Sequence, residues 1–150
     1  FAKRNNAVAS TEVKSFEHLI CTEQLSRRLG FKVGEELIRV VRVRSLNGNA
    51  RQVDHGYFLE SIAKGLTPEI AAKSIYDYLE HKRGVKVMAS RRTVSVELAN
   101  DEDCSYLDLG KYNCVAVMES QSYTSDGILF EVTHARTHPE IFHYRVNSKR

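Results

Sequence analysis

With 150 residues, 42% of them hydrophobic and 27% charged, the chain has the makeup of one globular domain with a real core. Its formal net charge of only +3, with both signs interspersed, excludes a disordered segment and a primary nucleic-acid-reading surface, which need a stronger imbalance. The longest apolar runs, such as Val40-Val41 and residues 115–118, fall far short of a membrane-spanning helix. The three cysteines, Cys21, Cys104 and Cys114, are too few and too widely spaced for a disulfide framework or a close zinc pair, so reduced thiols in a cytosolic protein are expected. Phe1 stands where an initiator Met would, followed by Lys3 and Arg4 with no apolar stretch, so a segment of a longer protein without a signal peptide is expected.

Residues 1–12 are polar and lack periodicity, which predicts a leader or linker ahead of a domain over 13–150. A loosely alternating strand follows over 12–20. Thr22 is placed to cap a short helix over 23–29 that Gly30 ends. Residues 37–46, rich in Val and Ile, run into Asn47-Gly48, a strong two-residue hairpin signal, and 50–59 return as the partner strand. Thr67-Pro68 opens a helical stretch that Gly84 closes, with Ile75 and Leu79 on its apolar face. A long alternating strand covers 85–98. A second unit then echoes the first: helix 101–107, Leu109-Gly110, strand 113–123, a turn at Ser125-Asp126-Gly127, and strand 128–136. A last strand is expected over 142–146. The repeat of helix, Leu-Gly, strand, turn and strand predicts an α+β fold with a pseudo-duplicated antiparallel sheet and helices packed on it.

Three groups of residues bear on chemistry. Arg42 and Arg44 lie two apart on a strand and therefore share a face, with Val41 and Val43 on the other. Paired guanidinium groups suit phosphate or carboxylate, although a solvated face with cross-strand ion pairs has the same pattern. Ser74 and Asp77 form a capping pattern, so a helix turn can start at Ser74, with hydroxyls from Ser74 and Tyr76 beside its amides; a plain cap with a core tyrosine is the alternative. Asp54 and Glu131 follow the two turns on return strands and are able to face one cleft, where carboxylates accept from sugar hydroxyls, or to be unrelated surface acids. His134, His138 and His143 cluster in sequence, but a strand position followed by a turn before Pro139 gives no local metal geometry. No nucleophile elbow, P-loop, dinucleotide fingerprint or zincin helix occurs, and no cofactor is expected.

The run 37–48, then 54–59, then Ser74-Ile75-Tyr76 with Leu79-Glu80 resembles the UTRA domain, the effector domain of the HutC subgroup of GntR-family bacterial repressors. The Asp126-Gly127 turn, Glu131 and the stretch 136–144 are also similar, so the resemblance covers nearly everything from Val13 onward. It implies a chorismate-lyase-like fold, an antiparallel sheet flanked by helices. In family members that sense sugar phosphates, an Arg-x-Arg pair and a Ser-x-Tyr at a helix start hold the phosphate; those positions match Arg42, Arg44, Ser74 and Tyr76. The sugar-facing acids match Asp54 and Glu131, and Arg136 aligns near other pocket residues. A small polar residue that members place near position 62 has no clear counterpart here, although Ser61 is adjacent. Stretches 74–80 and 101–109 are similar to trehalose-operon repressors, whose ligand is trehalose 6-phosphate.

The resemblance implies a cytosolic homodimer that binds a sugar-phosphate effector, reaches operator DNA through a separate N-terminal winged helix-turn-helix, and contacts no membrane. Two alternatives stand beside it. One is an enzyme like the lyase that shares the fold, since fold does not dictate function. The other is a sensor of a non-phosphorylated metabolite.

Overall fold

The structure, a computed structural model, describes residues 8–149. Strand β1 (Ala9–Ile20) leads to helix α1 (Glu23–Leu29), then to β2 (Glu36–Leu46) and β3 (Asn49–Leu59). Two short helical pieces, α2 (Pro68–Ala71) and α3 (Ile75–Asp77), continue into a π-helical turn over Tyr78–Lys82. Strand β4 (Val87–Leu98), helix α4 (Asp101–Tyr106), β5 (Cys114–Thr124) and β6 (Leu129–Thr137) complete the second half, and a 3-10 turn over Pro139–Ile141 follows. The expected leader lies partly outside the described residues; residues 9–12 belong to β1.

All six strands form one antiparallel sheet in the order β1-β2-β3-β6-β5-β4. The order reads as two copies of one unit, each an edge strand, a helix and a two-stranded hairpin, joined along β3 and β6. The expected pseudo-duplication is therefore the plan of the sheet. Each hairpin follows from its turn: Asn47 and Gly48 take φ of 51° and 82°, the left-handed pair that matches the twist of the flanking strands. The caps act as the sequence predicts. Thr22 accepts from the Leu25 amide, and Gly30 closes α1 with its amide on the Ser26 carbonyl.

Two expectations fail. The helix predicted from Pro68 onward does not run through. Ser74 is extended (φ −138°, ψ 111°), and its hydroxyl, rather than a backbone carbonyl, takes the Asp77 amide at 3.1 Å. A serine side chain competes with the helical ladder in this way, so the stretch breaks at 72–74 and restarts. The strand expected over 142–146 does not form. Strand β6 already has β3 and β5 on its two sides, and His138, whose ring Nδ1 accepts the Glu140 amide, turns the chain off the sheet.

The core falls into two clusters. One gathers Phe31, Phe58, Phe130, Ile38 and Val40 beneath the helical stretch, with Ile75 and Leu79 from α3 and the π turn. The other packs Val41, Val43, Val53, Val115 and Val117 against Leu107 and Leu109 after α4. Each fully buried side chain of this size contributes on the order of 1.5–3 kcal/mol. Gly56 is fixed by packing: a Cβ there would lie 2.7 Å from the Phe58 ring.

Candidate functional site

Strand pairing decides which residues meet. Arg42 pairs with Asp54, and Asp54 with Ala135. Residues two apart share a face, so Arg42, Arg44, Gln52, Asp54, Thr133 and Glu131 all point to one side of the sheet. The helical stretch roofs that side. Its break at Ser74 lets Ser74, Ile75 and Tyr76 close the end of a hollow of about 290 Å³ over these strands.

Arg42 and Asp54 form the floor. Both are buried, and a guanidinium nitrogen of Arg42 lies 2.5 Å from an Asp54 carboxylate oxygen. The other terminal nitrogen donates to the Ala71 carbonyl at 3.4 Å, so α2 and β3 fix the plane of the guanidinium. Arg44, two residues along, is less buried, and its pKa is lowered by burial and by the neighbouring Arg42 charge, with Asp54 opposing. Two adjacent cations under a partial roof favour an anion placed between them. Glu131 faces the same space. Burial and the Asp54 charge push its pKa up to about 7 against the pull of Arg42. A carboxylic acid held protonated can donate as well as accept, which suits a hydroxyl-rich partner. The Ser74 hydroxyl accepts from Asp77 and keeps its own proton for donation. Tyr76 is more than half exposed and stands at the rim.

Six of the seven residues singled out from sequence thus line one hollow: Arg42, Arg44, Asp54, Ser74, Tyr76 and Glu131. Arg136 does not. It is paired with Val53, one position from Ala135, and so points through the opposite face. There its guanidinium Nε and Nη2 donate to the fully buried Asp103 at 2.9 Å, and Nη1 donates to Glu97 at 3.2 Å. These bonds to Asp103 raise its pKa. Sequence reasoning missed Asp103, although Asn100 and Asp103 spell a reciprocal cap that signals a fixed helix start. It also missed Gln52 and Thr133, whose alternation with Asp54 and Glu131 was available.

A second, larger hollow of about 380 Å³ lies on that opposite face. His55 and His134 are cross-strand partners on its floor, with Glu119 beside His134 and Glu97 and Arg136 at one side. Size alone would favour it. Its cations are engaged, as Arg42 is in the first hollow: Arg28 donates to the Tyr57 hydroxyl, and Arg136 is held by Asp103 and Glu97. The hollow roofed by Ser74 is the one that gathers Arg42, Arg44 and Ser74. The three histidines do not converge. His134 sits on the second hollow's floor, His138 is buried against Tyr112, and His143 is exposed beyond the last turn. Among the described residues no group of three His, Cys, Asp or Glu is placed to hold a metal.

A single antiparallel sheet built from two like halves, with a roofed, arginine-lined hollow on one face, defines a class of small-molecule-binding domain. Within it, the chain belongs to the UTRA domain family, whose profile matches residues 4–143. It is 28% identical over 123 residues to the HTH-type transcriptional regulator TreR of Bacillus subtilis, covering 82% of this chain and 52% of that protein. It is 21% identical over 135 residues to the transcriptional repressor NagR of the same organism, covering 90% and 55% respectively. The chain thus spans about half the length of these relatives. The effector binding domain of the B. subtilis trehalose repressor superposes with a TM-score of 0.87 at 27% identity, over 94% of this chain and 98% of that one. PhnF from Mycobacterium smegmatis, at 16% identity and a TM-score of 0.86 over 99% of this chain and 66% of that one, shares the fold. TreR and NagR are transcriptional regulators. No helix of the described chain is long and apolar enough to cross a membrane.

Proposed function

We propose that the chain is the effector-sensing domain of a GntR-type transcription repressor and that the hollow roofed by Ser74 takes a phosphorylated sugar. The observation that carries this reading is the meeting of Arg42 and Arg44 with the Ser74 hydroxyl in one space that also holds Asp54 and Glu131. A phosphate seats between Arg44, the outer donors of Arg42 and Ser74, and the sugar hydroxyls reach Asp54 and Glu131. The likeness to a trehalose repressor domain makes trehalose 6-phosphate the first ligand to try. The domain works in the cytosol as a homodimer, and a separate N-terminal winged helix-turn-helix carries operator binding. Binding that differs between two arrangements of the dimer, by roughly 1–3 kcal/mol, then changes operator affinity up to about a hundredfold.

Calorimetric titration of trehalose 6-phosphate, glucose 6-phosphate and unphosphorylated trehalose tests the reading. A phosphorylated sugar binds and trehalose does not. Arg44→Ala weakens that binding about tenfold or more, the scale of a hydrogen bond to a charged group. Equal binding of trehalose and its phosphate would defeat the phosphate clamp and favour a sensor of a non-phosphorylated metabolite.

A further inference from the structure

Gly56 differs from the other glycines of the chain. Those take positive φ at turns, bends and helix ends, whereas Gly56 lies in the middle of β3 without such an angle. It is not a bulge either: it pairs in regular register with Val40 on one side and Thr133 on the other. A glycine inside a paired strand gives up side-chain packing and backbone entropy, so a close approach is left as its reason. The approach is that of Phe58. A Cβ at Gly56 would lie 2.7 Å from Cε2 and 3.0 Å from Cζ of the Phe58 ring. Phe58 is two residues on and shares the face, so its side chain leans back along the strand and lays the far edge of the ring over bare backbone.

The strand register places this contact within the hollow roofed by Ser74. Along the strands, Arg44 and Gln52 mark one end of it, and Arg42 and Asp54 form the next row. Gly56 and Thr133 follow, and Phe58 and Glu131 close the far end. The row of Gly56 is therefore the one just inward of the arginines, where the ring of a sugar falls once its phosphate is seated. Phe58 is buried in the first core cluster together with Ile75, and the hollow is the open space that both side chains border. A ring pushed off the backbone at Gly56 has that space to enter. We propose that Gly56 is a specificity-determining position: by leaving Phe58 room to lie down, it holds open the row that takes the sugar ring, and the arginine end that takes the phosphate does not depend on it.

This rests on the sugar-phosphate reading of the hollow and adds what sets its choice of ligand. Calorimetric titration of trehalose 6-phosphate, glucose 6-phosphate and inorganic phosphate into the parent chain and three variants tests it. Gly56→Ala lowers the affinity for the phosphorylated sugar about tenfold or more and leaves inorganic phosphate within about twofold. Gly56→Ala/Phe58→Leu, in which no ring remains to be lifted, recovers most of the loss. Thr133→Leu fills the same row from the other bank and repeats the pattern of Gly56→Ala. Thermal melts establish that each variant is folded. Should Gly56→Ala alone not fold, the other two variants carry the test: loss of the sugar phosphate in Thr133→Leu with binding in Gly56→Ala/Phe58→Leu supports the role, and any other combination overturns it. A parallel loss of phosphate and sugar phosphate in Gly56→Ala, or an undiminished affinity for the sugar phosphate, overturns the role of Gly56 and leaves the hollow standing. A parent chain that binds no phosphorylated sugar overturns both.

Discussion

Arg42 and Arg44 sit two apart on one strand, yet their surroundings give them different tasks. Arg42 is buried against Asp54, so it orients the floor of the hollow. Arg42→Ala leaves Asp54 buried without its cation next to Glu131, and a loss of about 3–5 kcal/mol in denaturant unfolding is expected. Arg44 is the residue to change when binding alone is to be read. Glu131 brings a pH dependence. Its folded pKa of about 7 lies above the ordinary value of 4.5, so folding takes up a proton between those values. The associated stability is fully present below pH 4.5 and is lost as pH rises through 7, amounting to about 3 kcal/mol at most. Glu131→Gln should therefore melt close to the parent at pH 4.5 and increasingly above it toward pH 8. The same proton favours an anionic ligand, so affinity measured by titration falls from pH 6.5 to pH 8 in the parent and falls less in Glu131→Gln. Equal slopes in the two proteins would remove Glu131 from the hollow's electrostatics. At this scale the Arg pair was legible because strand alternation is local. Arg136 was not, since its side of the sheet depends on a register with β3 set some 80 residues earlier in the chain.

The decisive element is the interrupted helix. A continuous helix from Pro68 would satisfy its own amides and point Ser74 wherever the turn dictated. The break instead aims a capped turn at the two arginines. Ser74→Ala should cost about 1 kcal/mol of stability as a lost cap and should weaken phosphate binding as well; Ser74→Asp keeps the cap and, by placing a carboxylate beside Arg44, weakens binding further. If Ser74→Asp binds the ligand as the parent does, the cap is only structural. The sequence announced the cap through Ser74 and Asp77 but also announced an unbroken helix through Thr67-Pro68 and Gly84. Nothing local ranks those signals, because the outcome depends on what Ile75 and Leu79 pack against in the first core cluster. The hairpins were legible for the opposite reason, since Asn47-Gly48 dictates both turn and register by itself. The supposed strand over 142–146 had suitable residues and no vacant neighbour, which only the sheet order reveals.

On the scale of the molecule, the two faces of the sheet hold separate networks. Arg136→Ala strips the partner from Asp103, which is fully buried, and should lower stability by about 3–5 kcal/mol. Sugar-phosphate affinity at a temperature where the variant stays folded should be unchanged. A matching loss of affinity would mean that Arg136 acts on the Ser74 hollow after all. The pseudo-duplicated plan was readable from the repeated order of elements, whereas the assignment of each hollow to a face was not.

The two halves share seven paired positions along β3 and β6, fewer than any other neighbouring strands share. That seam runs beneath the Ser74 hollow, with Arg44 and Asp54 on one bank and Glu131 and Thr133 on the other. A small molecule gripped from both banks acts as a strut across a shallow valley: it sets the pitch between the two slopes, and whatever is fastened to the outer rims must tilt with them.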